Sequence, residues 1–180
     1  SSMRIAPVGL FGYDDLENLR SLAEDSSRVT HTHPLGKEGA VVQAFSVALA
    51  TREDPSSKLK TEKFLQKLLD LVQKNEYQEK LKKIRKLLNS NPKKYEVINK
   101  LGRGVEAFNS VPTAVYSFLS HNESFREAVI YAISLGGDAD TIGAMTGAIA
   151  GAYHSSENIP EEWKRRLEDS SEEGTSLKFY

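Results

Sequence analysis

Ser134-Leu135-Gly136-Gly137-Asp138-Ala139-Asp140-Thr141 sets two carboxylates and a hydroxyl within four residues, directly after a Gly-Gly pair. These are hard oxygen donors, which suit Mg2+, Mn2+ or Ca2+ better than zinc or copper. Inside a helix, residues two apart do not share a face; in a turn entering a helix, Asp138 and Asp140 can converge on one point. The same residues also read as caps, because Asp and Thr are ordinary N-caps and acidic side chains in a first turn suit the helix dipole. Taken alone, such a sequence at a helix start is more often a cap than a metal site. One cap serves one helix, however, and Asp138, Asp140 and Thr141 all crowd a single entry point. Ion binding is therefore the competing reading.

The segment behind the acids carries Gly143, Gly147 and Gly151 at every fourth position, with Ala144, Ala148, Ala150 and Ala152 between them. Residues four apart share a helix face, so this face is nearly bare. Each helical Gly costs roughly 1 kcal/mol relative to Ala, and three in register predict the close approach of another backbone. The apolar run 142–153 is well short of the roughly 20 residues that a bilayer requires. It reads as a buried core helix.

The elements that must position this cluster are helical throughout. Asp14 or Asp15 can cap a helix carrying Leu16, Leu19 and Leu22. A loop through Thr30, His31, Thr32, His33 and Pro34 leads to Gly36-Lys37-Glu38-Gly39, and residues 40–50 then form a helix buried on most sides. Phe64, Leu65, Leu68, Leu69 and Val72 mark an amphipathic helix, Leu81, Ile84, Leu87 and Leu88 another, and Tyr95, Val97, Ile98 and Leu101 a short one. Val111-Pro112 is expected to start a helix through Val115, Tyr116 and Leu119, with Pro112 in its first turn. Ser124 can cap 125–135, and a last short helix holds Trp163 and Leu167. Alternating strand patterns are absent. The expected fold is an all-α, compact orthogonal helical domain spanning 1–180, with 170–180 as a weakly ordered tail.

Composition narrows the classes. A chain of 180 residues fits one domain, and a net charge of −1 gives no global pull toward nucleic acid or an anionic membrane. Lysines and Arg85 between 80 and 100 read as a solvated face, since they are not interleaved with aromatics. Zero Cys excludes disulfides and Cys-ligated zinc. The first residues lack a basic segment followed by an apolar core, so no signal peptide is expected. An intracellular location in cytoplasm, nucleus or mitochondrion follows as an expectation, with neither direct nucleic-acid binding nor a membrane partner.

Gly-Gly-Asp-Ala-Asp-Thr-Ile-Gly-Ala-Met-Thr-Gly-Ala-Ile-Ala-Gly-Ala-Tyr-His resembles the C-terminal metal motif of the ADP-ribosylhydrolase family, which includes dinitrogenase reductase-activating glycohydrolase. Met3-Arg4-Ile5-Ala6-Pro7 resembles the stretch after that family's Gly-rich loop, and Thr30-His31 with Leu35-Gly36 and Gly39-Ala40 a substrate-contacting loop. Gly104-Val105-Glu106-Ala107-Phe108 with Ser110-Val111-Pro112-Thr113-Ala114 is most similar to the vertebrate serine-type, poly(ADP-ribose)-degrading branch. The resemblance implies an all-α fold around two Mg2+ ions, with Mn2+ as a substitute. Asp138 and Asp140 would then be carboxylate ligands, Asp140 touching both ions, and Thr141 would add its hydroxyl. Ser1, Ser2, Met3, His31 and Val105 would contact substrate, His31 at the ADP-ribose and Val105 near the adenosine. His33 has no such support and reads as a surface residue.

The family's first half normally carries a second acidic cluster, a catalytic Glu on a flap and a Gly-rich phosphate loop, and none of these occurs here. The chain thus reads as the C-terminal half of an enzyme, with no catalytic acid or base identifiable in it. Its expected partners are ADP-ribose-modified protein or poly(ADP-ribose), and a complementary N-terminal fragment. The alternative is a non-catalytic module that binds ADP-ribose or a partner.

Overall fold

Residues 40–50 are small or apolar apart from Gln43, and a helix built from them has no broad face to offer water. That segment becomes the axis of the molecule in a computed structural model that describes residues 1–169. The helix α3, Pro34–Thr51, buries every residue from 38 to 50. Around it the chain forms α1 (Ala6–Phe11), α2 (Leu16–Arg28), α4 (Thr61–Leu71), α5 (Asn75–Leu88), α6 (Lys94–Leu101), α7 (Ala107–Ser120), α8 (Phe125–Ser134), α9 (Ala139–His154) and α10 (Glu161–Asp169). Short 3-10 turns lie at Ser2–Arg4 and Ser156–Asn158, and no strand occurs among the described residues. The expected tail at 170–180 lies outside the described residues.

Three helices, α3, α7 and α9, pack on one another and make the centre. Outer helices close it: α1 and α2 lie on α3, α5 on α7, and α8 on both α7 and α9. Amphipathic sequence builds this outer layer, since Leu19 and Ala23 of α2, Phe64, Leu65 and Leu68 of α4, and Leu81, Ile84 and Leu87 of α5 are fully buried. Asp15 is the cap of α2, accepting the Asn18 N–H at 3.1 Å, and Ser124 caps α8 through the Glu127 N–H at 3.3 Å.

Several starts differ from the sequence reading. α3 begins at Pro34, so Gly36, Glu38 and Gly39 are helical rather than loop. Glu38, only 3 % exposed, is held there by Arg20, whose Nη1 donates to its Oε2 at 3.0 Å, and by the Gln73 N–H at 2.8 Å. An acid so deeply buried is tolerated only because its oxygens are satisfied. Gly39 is required by crowding, since a Cβ would lie 2.5 Å from the Tyr77 hydroxyl and 2.7 Å from the Ala107 Cβ. α7 begins at Ala107, which puts Pro112 inside the helix rather than in its first turn. Pro112 has no N–H to donate to the Phe108 carbonyl, but five preceding helical residues have already set the path. Tyr95 is 59 % exposed and does not join Val97 and Leu101 in the core. α1 has no counterpart in the sequence reading. Its Gly9 lies against α3, where a Cβ would come 2.7 Å from the Ala44 carbonyl oxygen.

The glycine face of α9 meets α8, and it meets side chains rather than backbone. A Cβ at Gly143 would lie 2.8 Å from Ile133 Cγ2, at Gly147 3.6 Å from Val129 and at Gly151 3.7 Å from Phe125. The two helices thus match a four-residue repeat of glycine against a four-residue repeat of large apolar residues. Only Gly143 is tightly enclosed. Among the described residues, no helix is long and apolar enough to cross a membrane.

Candidate active site

Four segments distant in sequence meet at one cavity of about 570 Å³. Ser1, Ser2 and Met3 come from the first turn, His31 and His33 from the approach to α3, and Leu35 and Gly36 from its first turn. Val105, Glu106, Ala107, Phe108 and Ser110 come from the start of α7, and Asp138 and Thr141 from the start of α9. Three helix N-termini therefore converge, because the N-cap residues His33, Glu106 and Asp138 all line this space. Unpaired N–H groups and helix dipoles at such ends favour a bound anion.

The acidic turn has its own geometry. Gly136 and Gly137 have φ of 69° and 71°, a left-handed conformation that residues with a Cβ rarely adopt. The turn delivers Asp138 to the N-cap of α9, yet its side chain makes no capping hydrogen bond. Its oxygens are thus not consumed by the helix, as the simple cap reading requires. The Asp140 carboxyl lies below its ordinary value, first because the Thr141 backbone N–H donates to it and next through a hydrogen bond with Asp138. Among the described residues no three His, Cys, Asp or Glu side chains lie close enough together to hold a metal ion. Asp138, Asp140 and the Thr141 hydroxyl form an open set of hard donors. It fits one side of a Mg2+ site, and an octahedral ion needs further oxygens.

On the opposite rim, His31 is exposed and its Nδ1 lies 2.8 Å from Thr30 Oγ1, which accepts from Arg4 Nη2 at 2.7 Å. Desolvation, followed by the positive charges of the Ser1 amino group and Arg4, lowers its pKa from the ordinary value. Ser27 Oγ donates to Ser1 Oγ at 2.9 Å, while Ser2 Oγ is buried in the cavity wall with no protein partner. Met3 and Val105 are apolar, 53 % and 77 % exposed, and stand at the cavity as free surface. Every site residue expected from the sequence lines the cavity except Asp140, which is exposed and bonded to Asp138.

The ADP-ribosylglycohydrolase family model matches residues 1–178. The chain belongs to that family. Among its curated relatives, the ADP-ribosylhydrolase ARH3 of Homo sapiens is 38% identical over 200 residues, covering 95% of this chain and 54% of the relative. ARH3 of Bos taurus is 37% identical over 196 residues, with 95% and 53% covered, and ARH3 of Gallus gallus 34% over 192 residues, with 93% and 52% covered. The chain therefore spans about half the length of the curated relatives it matches.

Two residues that line this ADP-ribosylglycohydrolase cavity, and a third that holds its acidic turn from behind, escaped the sequence reading. His33 is exposed, as expected, but its Nδ1 accepts the Leu35 N–H at 3.2 Å and caps α3. The Thr-His-Pro order was the available signal, since Pro34 marks a helix start. Glu106 is the second carboxylate lining the cavity, held by Asn109 Nδ2 at 3.2 Å. Its place just before α7 became visible only once the start of that helix was known. Arg103 touches the acidic turn from a loop 35 positions upstream of Asp138, a contact with no local signal.

Proposed function

We propose that this chain is the C-terminal part of a magnesium-dependent ADP-ribosylhydrolase that acts once the complementary N-terminal half is present. Its substrates are serine-linked ADP-ribose on protein, with poly(ADP-ribose) or O-acetyl-ADP-ribose as further substrates, in an intracellular setting. The observation that carries the reading is the single cavity in which the hard donors Asp138 and Thr141, three helix N-termini and an apolar rim come together. That combination suits a ligand with a diphosphate, an apolar-faced base and ribose hydroxyls.

In the reaction the bond between C1 of the distal ribose and a protein side-chain oxygen breaks through an oxocarbenium-like transition state, water adds its oxygen to C1, and the departing side-chain oxygen takes up a proton to become the free hydroxyl. Two Mg2+ ions, when bound, supply charge stabilisation at the ribose oxygens and a positioned water. Asp138, Asp140 and Thr141 would hold that centre from this side. The N-termini of α3 and α7 attract the diphosphate, His31 orients it, and Met3 and Val105 cover the adenosine. Proton transfer is assigned to the complementary half, because no Glu here, Glu106 included, stands in a motif context for it.

Calorimetry with ADP-ribose tests the enzyme against the simple binding module. The hydrolase reading predicts that Mg2+ tightens ADP-ribose binding to the assembled protein. Equal affinity with Mg2+ and with chelator contradicts it and favours the module.

A further inference from the structure

We propose that Arg103 is a positioning residue for Asp138, locking the Gly136-Gly137 turn to the loop that also forms the cavity wall. The inference rests on the reading of Asp138 as a ligand, but the clamp itself stands on contacts alone. Arg103 Nη1 donates to the Leu135 carbonyl at 2.7 Å, at the C-terminal end of α8 where carbonyls lack helical donors. Its own carbonyl accepts the Asp138 N–H at 2.9 Å. Between these two bonds the side chain lies across Gly137, where a Cβ would overlap the Arg103 carbonyl oxygen and come 2.8 Å from its Cγ. One residue therefore grips the start, the middle and the end of the turn that aims the acid.

The far side of Arg103 is equally fixed. Thr113 Oγ1 of α7 donates to the Gly102 carbonyl at 2.7 Å, and Lys80 of α5 donates to the Leu101 carbonyl and, at 3.0 Å, to Asn109 Oδ1. Val105 and Glu106, two and three residues on, line the cavity. Residues 101–106 form a strut with anchored ends, and Arg103 transfers that anchoring to a turn built from two left-handed glycines. Glycine is the residue with most freedom to leave such a conformation. Without the clamp, Asp138 samples several directions, and a misplacement of about 1 Å is enough to cost on the order of 10²-fold in a catalytic geometry. Arg103 is itself exposed, so its replacement leaves the core untouched.

Arg103→Ala, Arg103→Lys and Gly137→Ala test the clamp by two readouts. In the metal-free 180-residue chain, hydrogen exchange at the Asp138 amide should quicken by roughly tenfold in Arg103→Ala, with the melting temperature nearly unchanged. In the protein assembled with its complementary half, Mn2+ affinity by paramagnetic resonance should fall about tenfold or more, as for other groups that orient ligands. Lys should restore part of both effects through one donor to Leu135, and Gly137→Ala should reproduce the Ala variant. Wild-type exchange in Arg103→Ala, or unchanged Mn2+ affinity beside a wild type that binds, overturns the proposal. A wild type that binds no Mn2+ overturns the metal reading and with it the ligand-aiming role, while the exchange data still decide the clamp.

Discussion

Asp138 and Asp140 share a turn but not an environment. Asp138 lines the cavity and its side chain caps no helix N–H, whereas Asp140 is solvent-exposed and its carboxyl is engaged by the Thr141 backbone N–H and by Asp138. Asp138 caps no helix N–H and Asp140 engages only the Thr141 N–H at the helix start, so each can be changed with little effect on the fold. Asp138→Ala and Asp140→Asn should each lower turnover of the assembled protein by at least about 10²-fold. Stability should stay within about 0.5 kcal/mol of wild type, the range of ordinary surface substitutions. Retained turnover in either variant, measured beside its melting curve, would refute the ligand assignment. This acidic pair was legible in the sequence because it is local, with two acids, a hydroxyl and a glycine turn adjacent in the chain. Arg103 was not, because its hold on the turn comes from folding and an Arg between two glycines looks like any loop.

At the scale of elements, the sequence spoke clearly where one face of a helix meets water. α2, α4 and α5 carry plain apolar stripes and form where those stripes lie. α3 and α7 were placed too late in the chain, because their first turns hold Gly, Ser and Ala that pack by smallness rather than by apolar periodicity. α1 left no stripe at all, since Gly9 serves the approach to α3 and Leu10 and Phe11 remain exposed. The glycine repeat of α9 was legible as a packing face, but its partners turned out to be the side chains of α8. A graded outcome follows. Gly147→Ala and Gly151→Ala would meet ordinary contacts of 3.6 and 3.7 Å, and each should stabilise by up to about 1 kcal/mol through helix propensity. Gly143→Ala drives a Cβ to 2.8 Å from Ile133 and should gain nothing or lose stability. Denaturant melts of the three variants check the order, and equal gains at all three positions would contradict the packing described.

The described residues form a helical core with the candidate site where the starts of α3, α7 and α9 meet and other ionisable groups buried elsewhere. His121, stacked on Tyr131 with ring centroids 4.2 Å apart, and His154, whose Nε2 is buried without a partner, are both held below their ordinary pKa chiefly by desolvation. The unfolded chain titrates these groups near 6.5 and the folded chain lower, so in that window the unfolded state binds more protons. Their contribution to stability is complete above that value and is lost as pH falls through it. The melting temperature should therefore drop between pH 7.5 and 5.5, about one unit either side of the free histidine value. The drop should be smaller in His121→Asn and His154→Asn, and an unchanged slope in both variants would contradict the assignment.

At the same scale lies the claim on which the functional account depends. The ADP-ribosylglycohydrolase chain covers about half of its ARH3 relatives and contributes an open set of oxygen donors beside a cavity where the starts of α3, α7 and α9 meet. The most direct measurement is the release of ADP-ribose from serine-modified and arginine-modified peptides by this chain assembled with its complementary half, in Mg2+ and in chelator. The account predicts release from the serine-linked peptide that requires both Mg2+ and the complementary half. Release by this chain alone, or release that persists in chelator, would contradict it.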